Sequence, residues 1–181
     1  MGNALDRTTA HAVPLRAGRS VTVRAVRPDD KDEFDSAFKR LSPNARYSRF
    51  FTPLRELPPN MLSAAVDPPT GQVMALVALA GSGNDPAGGE RIVAGARFAH
   101  APDSKVCEFA VTVADDWQGL GLARHLMEEL IALAREHGMQ RIEGIVLPDN
   151  TGMRGLAARL GFTDTAWPED RSLRLVSLTL D

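Results

Sequence analysis

The sequence predicts an α/β fold in which a single domain holds a mixed sheet flanked by helices. Strand-like and helix-like segments follow one another in the order β-α-α-α-β-β-β-α-β-α-β. The chain has 181 residues and contains neither an internal repeat nor an interdomain linker, so one domain is expected. Its composition, with 44% hydrophobic and 24% charged residues, is typical of a domain that buries its own core.

The predicted elements begin after an aperiodic N-terminal segment. Residues 1–19 are expected to form a loose lead-in to a domain of residues 20–181. An alternating strand ends before Pro28, and Asp29-Asp30 then offers an N-cap to a helix whose apolar residues recur at i, i+3, i+4 and i+7. Ser42-Pro43 starts a second helix, with serine as the N-cap and proline at the first helical position.

The remaining elements follow from the same signals. Strands are predicted over residues 21–26, 72–80, 91–99, 106–113, 141–147 and 171–180. Helices are predicted over residues 29–41, 59–66, 119–137 and 151–160, and a further short helix starts at Ser42. The glycine-rich segment 81–90 is interpreted as a hairpin tip, because a phosphate-binding loop must open a helix and this segment leads into another strand. In the last strand the apolar phase slips between Leu175 and Val176, which predicts a bulge or burial of both faces.

Composition excludes several classes of protein. A net charge of −2 gives no global electrostatic case for binding nucleic acid or a membrane surface. One cysteine, Cys107, excludes a disulfide framework and a multi-cysteine zinc site, and His11, His100 and His137 show no metal-ligand spacing, so no metal is expected. No apolar run approaches the ~20 residues of a membrane helix. The N-terminus lacks the apolar core of a secretory signal, and a cytoplasmic protein is therefore expected.

The segment that carries chemistry runs from Val113 to Met127 as a strand, a turn and an amphipathic helix. Gly119, Gly121 and Ala123 keep bulky side chains away from the first turn of that helix. The backbone N–H groups there lack intrahelical partners, and the helix macrodipole adds about half a positive charge, so an anion such as pyrophosphate can bind. The segment does not fit the P-loop, since no lysine follows the glycines, or the dinucleotide fingerprint, since its third-glycine position is Arg124.

The pattern Gln118-x-x-Gly121-x-Ala123 resembles the (Arg/Gln)-x-x-Gly-x-(Gly/Ala) signature of the GNAT superfamily of acetyl-CoA-dependent N-acetyltransferases. Asp149-Asn150 and Leu160-Gly161-Phe162 resemble the distal cofactor motif of that family. The resemblance covers residues 20–180 and implies a single GNAT-fold domain. It implies a mostly antiparallel sheet whose central parallel strand pair splays apart at one end to admit acetyl-CoA.

The resemblance also implies which residues contact acetyl-CoA. In the family, the backbone amides of this turn hold the pyrophosphate and the preceding strand pairs with pantetheine. The implied cofactor-binding residues are Val111, Val113, Gln118, Gly119, Gly121, Leu122, Ala123, Arg124 and Asn150. Asn150 has a second interpretation, as the N-cap of the helix from Thr151. The strands over 106–113 and 141–147 are expected to be parallel neighbours joined by the helix from Gly119.

A closer resemblance is to the acetyltransferase domain of bacterial Pat-type protein lysine acetyltransferases. It rests on Leu41-Ser42-Pro43, on Arg46-Tyr47-Ser48-Arg49-Phe50-Phe51, and on Glu108-Phe109-Ala110-Val111 with Asp116-Trp117-Gln118-Gly119. The implied acceptor is a protein lysine side chain. A small amine (an amino acid, a polyamine or an antibiotic) and a catalytically weak acyl-CoA-sensing module stay open as alternatives. GNAT domains often dimerise, which leaves a homodimer open, and regulation by fused domains of the Pat type is expected to be absent or supplied in trans.

Glu108 is the candidate catalytic residue. Strand alternation places it with Ala110 and Thr112, opposite the face of Cys107 and Phe109. We expect a pocket there that desolvates the carboxylate and tunes it as a base. An amine acceptor with a pKa of ~10.4 must lose a proton before it attacks the thioester. The Pat resemblance implies a catalytic glutamate at the same position, and the alternative is an edge carboxylate or a salt-bridge partner.

The other candidates have structural interpretations. Asp115 and Asp116 are expected to cap a helix, and Glu128, Glu129 and Glu143 to be solvated charges; these expectations follow from residue type and position alone. Cys107 is expected to be a buried thiol, and His125 either a half-exposed helical residue or a phosphate contact.

The sequence departs from the GNAT pattern at the position of the general acid. The family often carries a tyrosine seven residues after its distal Asn, and that position is Ala157 here. Water is expected to protonate the leaving thiolate, because thiol pKa values lie near ~8.5. Arg46, Tyr47 and Arg49 are expected either to line the acceptor site or to serve packing and the surface.

Overall fold

The computed structural model describes residues 7–81 and 89–181, and in these ranges eight strands form one sheet. The strands are β1 (His11–Pro14), β2 (Ser20–Ala25), β3 (Val73–Ala80), β4 (Arg91–Ala99), β5 (Val106–Val113), β6 (Arg141–Val146), β7 (Thr163–Ala166) and β8 (Arg174–Thr179). Their order across the sheet is β1-β2-β3-β4-β5-β6-β8-β7. All neighbours are antiparallel except β5 and β6, which are parallel.

The helices cover both faces of the sheet. They are α1 (Lys31–Arg40), α2 (Pro43–Phe50), α3 (Pro59–Val66), α4 (Leu122–Glu136) and α5 (Thr151–Arg159). Helix α4 packs on β4 and β5, and its stripe of Leu122, Leu126 and Leu130 joins Phe98 and Phe109 in the main core. Helices α1 and α2 contact β4 and β5 and, with α3, border the side chains that alternate to the other face. None of the helices in the described ranges has the length and apolar character that a bilayer span requires.

The parallel strands β5 and β6 pair over a short distance and then separate. Their register contains three pairs, from Val106 opposite Arg141 to Glu108 opposite Glu143. Beyond that point the ring of Phe109 lies over Gly144, where an added Cβ would come within 2.6 Å of the ring. Glycine at position 144 therefore makes room for the ring where the strands diverge. The predicted parallel pair, joined by α4 and splayed at one end, is confirmed.

Three details differ from the sequence prediction. Residues 11–14, inside the segment expected to be loose, form β1 and pair with β2. Only Val13 of these four residues is buried, so the strand shows no alternation of apolar and polar residues from which it could be predicted. Strand β7 was not predicted, because its four residues are polar or small and none is buried. Strand β8 pairs with β6 without a register shift, so of the two predicted alternatives, a bulge or burial of both faces, the bulge is absent there. A bulge lies instead at Ala78/Leu79, between β3 and β4.

The segment interpreted as a hairpin tip connects two antiparallel neighbours, β3 and β4. Residues 82–88 of that segment lie outside the described residues.

A buried ion pair precedes α1, the first helix of the layer formed by α1, α2 and α3. Arg24 on β2 donates two hydrogen bonds to Asp30, at 2.8 and 2.7 Å, and the N–H of Arg27 donates a third at 2.7 Å. Burial alone would raise the pKa of Asp30, and these donors hold it below its ordinary value.

Candidate active site

The turn between β5 and α4 has the geometry of an anion-binding site. Gly119 and Gly121 have φ values of 74° and 90°, a left-handed region that favours glycine. Gly121 is the N-cap of α4 and carries no side chain that could cap the first-turn N–H groups. A Cβ added to either glycine would meet nothing within 4 Å, so the space in front of these N–H groups is open. An anion can therefore reach them.

Contacts from both sides hold this turn in place. The Gln118 side-chain amide donates to the carbonyl of Val113 at 3.2 Å and ties the turn to the end of β5. The guanidinium of Arg19 stacks on the Trp117 ring, 3.7 Å from its centroid, and donates to the carbonyl of Asp116 at 3.0 Å. These contacts fix the position of the turn without a ligand.

Arg16 is a functional candidate that the sequence analysis missed, because residues 1–19 were taken as a lead-in. Its N–H donates to the carbonyl of Leu120 at 3.1 Å, so the segment after β1 lies against the turn. A groove of about 360 Å³ follows and is lined by Pro14, Leu15, Arg16, Leu120, Gly121, Arg124, His125 and Glu128. Arg16 and Arg124 give this groove the charge that attracts phosphate groups. The only sequence signal for Arg16 was its charge.

The residues expected to bind acetyl-CoA meet at one edge of the sheet. Gly119, Gly121, Ala123 and Arg124 form the turn and the first turn of α4, beyond the carboxyl end of β5. Leu122 is only 1% exposed, so it can offer the cofactor its backbone and not its side chain. Val111 and Val113 are half-buried on β5, beyond the last residue paired with β6.

Asn150 follows β6 at the same edge, because the carboxyl ends of parallel strands point the same way. Its side-chain oxygen accepts a hydrogen bond from the N–H of Met153 at 3.2 Å. Asn150 is therefore the N-cap of α5, as one of its two interpretations predicted. A contact with the cofactor stays a prediction.

Glu108 lies where β5 and β6 part. It is the last residue of β5 that pairs with β6, opposite Glu143, and it pairs with Ala99 on the β4 side. Its side chain is exposed, so the expected burial of this carboxylate is wrong. The alternation of a strand predicts the face of a side chain but not its depth, and the opening of the sheet leaves this end of the face uncovered. In the described ranges no side chain pairs with it, so the salt-bridge alternative is not supported.

A cavity of about 230 Å³ lies on the same face, between the layer of α1, α2 and α3 and strands β3 to β5. Its walls include Phe34, Phe38, Phe50, Leu57 and Met61, so they are largely apolar. Ala110 and Thr112 of β5, the small neighbours of Glu108 on this face, line the cavity as well. A space of this size and character suits a small apolar group.

Three arginines line this cavity; Arg40 pairs with Glu33, so Arg49 and Arg97 carry its unpaired positive charge. Burial and the charge of Arg97 lower the pKa of Arg49 to about 10, an effect that the charge of Glu108 partly offsets. Burial likewise lowers the pKa of Arg97. In the described ranges neither guanidinium has a carboxylate within ion-pair distance. Two half-buried cations without an anion are costly, which favours an anionic ligand.

The neighbours of Arg49 in the Arg-Tyr-x-Arg segment have other tasks. The guanidinium of Arg46 donates to backbone carbonyls that include those of Phe38 at 3.2 Å and Lys39 at 2.8 Å, so it holds the end of α1. Tyr47 is 43% exposed and does not line the cavity. Of these three residues, Arg49 is the one that lines the cavity. Ala157 is 1% exposed in the core, so this position cannot supply a general acid.

Cys107 and Asp115 serve structure. Cys107 is 1% exposed, and burial raises the pKa of its thiol to about 12, which confirms the predicted buried thiol. The Asp115 carboxylate accepts hydrogen bonds from the N–H of Ser42 at 3.1 Å and from its hydroxyl at 2.9 Å. Ser42 in turn caps α2. Asp115 therefore links the turn to the helix that carries Arg49. Asp116 is exposed.

Glu129 corrects the expectation of a solvated charge, because it is 3% exposed. Its Oε1 lies 2.6 Å from Nε2 of His11 and 2.5 Å from Nε2 of His125. Burial alone would raise the pKa of Glu129, and the hydrogen bonds with His125 and His11 hold it below its ordinary value. Glu128 and Glu143 do lie nearer the surface, paired with Arg124 and Arg141.

Comparison with known proteins assigns the family. The model of the Acetyltransferase (GNAT) family matches residues 36–162, well over half of the chain. The chain belongs to the GNAT acetyltransferase family. It is therefore an acetyl-CoA-dependent acetyltransferase. Acetyltransferase PA5475 of Pseudomonas aeruginosa is 36% identical to this GNAT enzyme over 166 residues, which cover 92% of this chain and 87% of that protein.

Solved structures agree with the assignment. The GNAT domain of S. lividans PAT superposes with a TM-score of 0.83 at 26% identity, covering 94% of this chain and 97% of that one. The structure of yncA from Salmonella typhimurium contains its cofactor acetyl-CoA. It superposes with a TM-score of 0.68 over 89% of this chain and 94% of that one, and at 22% identity this likeness shows the fold.

Proposed function

We propose that this GNAT enzyme transfers an acetyl group from acetyl-CoA to a primary amine by direct attack, with Glu108 as the general base. The observation that carries the proposal is the position of Glu108 at the point where β5 and β6 separate. The amine nitrogen attacks the thioester carbonyl carbon, the C–S bond breaks, and coenzyme A leaves as the thiolate. Glu108 accepts the proton of the attacking amine, directly or through water, and water protonates the thiolate.

In this proposal the turn and the strand hold the cofactor. The first-turn N–H groups of residues 119–124 donate to the pyrophosphate, and Arg124 adds positive charge beside it. Val111 and Val113 lie on the stretch of β5 that no longer pairs with β6, so their backbone can pair with pantetheine. Asn150 contacts the cofactor from the neighbouring strand end. These roles agree with the open, uncapped geometry of the turn.

The proposed acceptor is a protein lysine side chain. The likeness to the GNAT domain of S. lividans PAT supports it, as do the Leu-Ser-Pro and Arg-Tyr-x-Arg-Phe-Phe segments. A lysine side chain suits an exposed base, because Glu108 is accessible from solvent at the surface of the sheet. The long methylene chain of lysine can carry its amine from a protein surface to that base.

One observation favours a second candidate, a small amine that carries a carboxylate. The cavity beside Glu108 is largely apolar, and Arg49 and Arg97 in its wall have no anionic partner in the described part of the chain. A carboxylate on the acceptor would pair with these guanidinium groups and orient the amine toward Glu108. An apolar amino acid fits this description.

Kinetics with two classes of acceptor separate the candidates. Acetyl-CoA turnover is measured with lysine-containing peptides and with free amino acids, and acetylated sites are located by mass spectrometry. For a carboxylate-bearing acceptor, Arg49→Met lowers kcat/KM by about 10–100-fold, the loss expected for one charge-assisted hydrogen bond. The matched control, Arg55→Met, removes an exposed arginine outside the cavity and leaves kcat/KM unchanged. Higher kcat/KM with peptides, together with insensitivity to Arg49→Met, identifies the lysine acceptor.

A further inference from the structure

A cluster of three metal-ligating side chains lies away from Glu108, where β1 meets α4. His11 comes from β1, and His125 and Glu129 lie one turn apart on α4. One donor atom from each residue lies within 4.8 Å of the others. The Nε2 atoms of both histidines approach the same Glu129 oxygen, at 2.6 and 2.5 Å. Side chains far apart in the sequence thus converge on one point.

The buried carboxylate of Glu129 is incompletely satisfied. The residue is 3% exposed, and its second oxygen, Oε2, is buried without a hydrogen-bond partner among the described residues. A buried carboxylate oxygen without a donor is costly, because burial removes the water that would otherwise hydrogen-bond to it. A cation shared by both oxygens of Glu129 would satisfy it.

His11 has the orientation of a metal ligand. Its Nδ1 lies 2.8 Å from the backbone carbonyl of Thr9, and because a carbonyl can only accept, Nδ1 must carry a proton. In the neutral ring Nε2 then bears a lone pair, which points at the carboxylate. Metal-binding histidines commonly donate their other ring N–H to a carbonyl in this way. Without a metal, the ring needs a second proton, on Nε2, to donate a hydrogen bond to the Glu129 carboxylate.

We propose that His11, His125 and Glu129 form a Zn²⁺ site with a fourth position open to solvent. Two imidazoles and one carboxylate are a ligand set that zinc accepts, whereas Mg²⁺ and Ca²⁺ prefer oxygen ligands. With Zn–N and Zn–O bonds of about 2.0–2.2 Å, tetrahedral donors lie roughly 3.4 Å apart, so each ring needs to retreat by about 1 Å or less. The half-buried histidines leave a path for the ion.

The ion would link β1 to the first half of α4. Among the strands that the structure describes, β1 pairs with β2 alone and stands at the edge of the sheet, so a metal that joins it to α4 stabilises that edge. His125 also lines the groove in front of the cofactor turn. The site shares no residue with the proposed base, so its existence does not depend on the proposed function.

Zinc titration tests the proposal on the full chain without a histidine tag, after treatment with a chelator. Isothermal titration calorimetry with ZnCl₂ is expected to show one ion per chain and a higher thermal midpoint for the zinc-bound protein. Co²⁺, bound in the same place, is expected to show the visible absorption of a tetrahedral site. Absence of saturable binding at one ion per chain overturns the proposal and leaves a hydrogen-bonded cluster.

Two variants and a matched control locate the ion. His11→Asn and His125→Asn are each expected to weaken zinc binding by roughly 100-fold or more, beyond the 10–100-fold typical of losing an outer partner. His100→Asn, which removes a histidine outside the cluster, is expected to leave binding unchanged. Circular dichroism of the zinc-free proteins checks that the variants fold. Equal zinc affinity in the wild type and both cluster variants contradicts the site, as does an equal loss in His100→Asn.

Discussion

At the scale of single residues, the burial of two carboxylates is the opposite of what the sequence predicted. Glu108 was expected in a pocket and is exposed, whereas Glu129 was expected in solvent and is buried. Glu129 occupies the stripe of α4 that also holds Leu122, Leu126 and Leu133, at helical spacing from each. That spacing could have predicted the burial of Glu129 from the sequence. The contact with His11, which makes burial of the charge tolerable, could not be predicted, because His11 lies on a distant strand.

The first prediction concerns Glu108. Glu108→Gln keeps the shape of the side chain but cannot accept a proton, so kcat is expected to fall by about 10²–10⁴-fold at neutral pH with acetyl-CoA affinity nearly unchanged. Raising the pH is expected to recover part of the loss, because solvent then supplies more neutral amine. Steady-state kinetics across pH and calorimetry with acetyl-CoA measure both effects.

A matched control is Glu169→Gln, which removes an exposed carboxylate outside both the cavity and the groove and should leave the rate unchanged. Near wild-type turnover of Glu108→Gln at pH 7 would show that another group takes the proton. Glu143, opposite Glu108 on β6, would then be the next carboxylate to replace.

At the scale of elements, the turn before α4 follows directly from local sequence. Glycine is required at positions 119 and 121 because φ is 74° and 90° there, and the open space in front of the helix follows from the same small residues. Residues close together in the chain create this site. Sequence alone therefore placed the turn correctly, whereas the helix begins at Leu122 rather than at the predicted Gly119.

The second prediction concerns this turn. Gly121→Val places a β-branched side chain in the space before the first-turn N–H groups, so acetyl-CoA affinity is expected to fall by about tenfold or more. The variant also forces a side chain into the left-handed region, at a cost of roughly 1–2 kcal/mol in folding stability. Calorimetry with acetyl-CoA and thermal unfolding measure the two effects separately.

Gly71→Val separates backbone strain from blocked binding. Gly71 has a φ of 83° and open space around it, like Gly121, but lies before β3 and away from the turn. It should lose comparable stability and retain acetyl-CoA affinity. Unchanged affinity in a folded Gly121→Val protein would remove the anion site from the turn.

At the scale of the whole molecule, the opening between β5 and β6 organises the enzyme. Three residue pairs hold the strands together, and the ring of Phe109 fills the space over Gly144 beyond them. Phe109 also packs against Phe162, with ring centroids 5.7 Å apart, which ties the opening to the chain after α5. The separation is thus maintained by aromatic packing as well as by lost strand pairing.

The third prediction concerns this packing. Gly144→Ala puts a Cβ 2.6 Å from the Phe109 ring, so the ring must shift, and overpacking is expected to cost about 1–3 kcal/mol of stability. Acetyl-CoA affinity should fall with it if the cofactor enters this opening. Denaturant unfolding and calorimetry supply the two measurements.

Gly95→Ala on β4 is the control, because its added Cβ would meet its nearest neighbour at 3.9 Å, an ordinary contact. It should change neither stability nor acetyl-CoA affinity by more than a small amount. A Gly144→Ala protein as stable as Gly95→Ala would mean that the ring relocates freely and does not hold the opening.

The sequence by itself determined what depends on neighbours along the chain. Hydrophobic period, caps and turn glycines act over a few residues, so they specified most elements and the turn before α4. The parallel pairing of β5 and β6 was predicted from the crossover rule and the family resemblance. The short strands β1 and β7 were not predicted, because four residues with at most one buried position show no periodic hydrophobic pattern.

Only the tertiary structure decided what depends on depth and on distant partners. It exposed Glu108, buried Glu129 beside His11, and enclosed Arg49 and Arg97 in one cavity without an anion from the described ranges. Burial is set by which elements cover a face, and the meeting of side chains from separate elements is set by packing of the whole sheet. Neither quantity is a property of a local pattern, because the strands that determine both lie many residues apart.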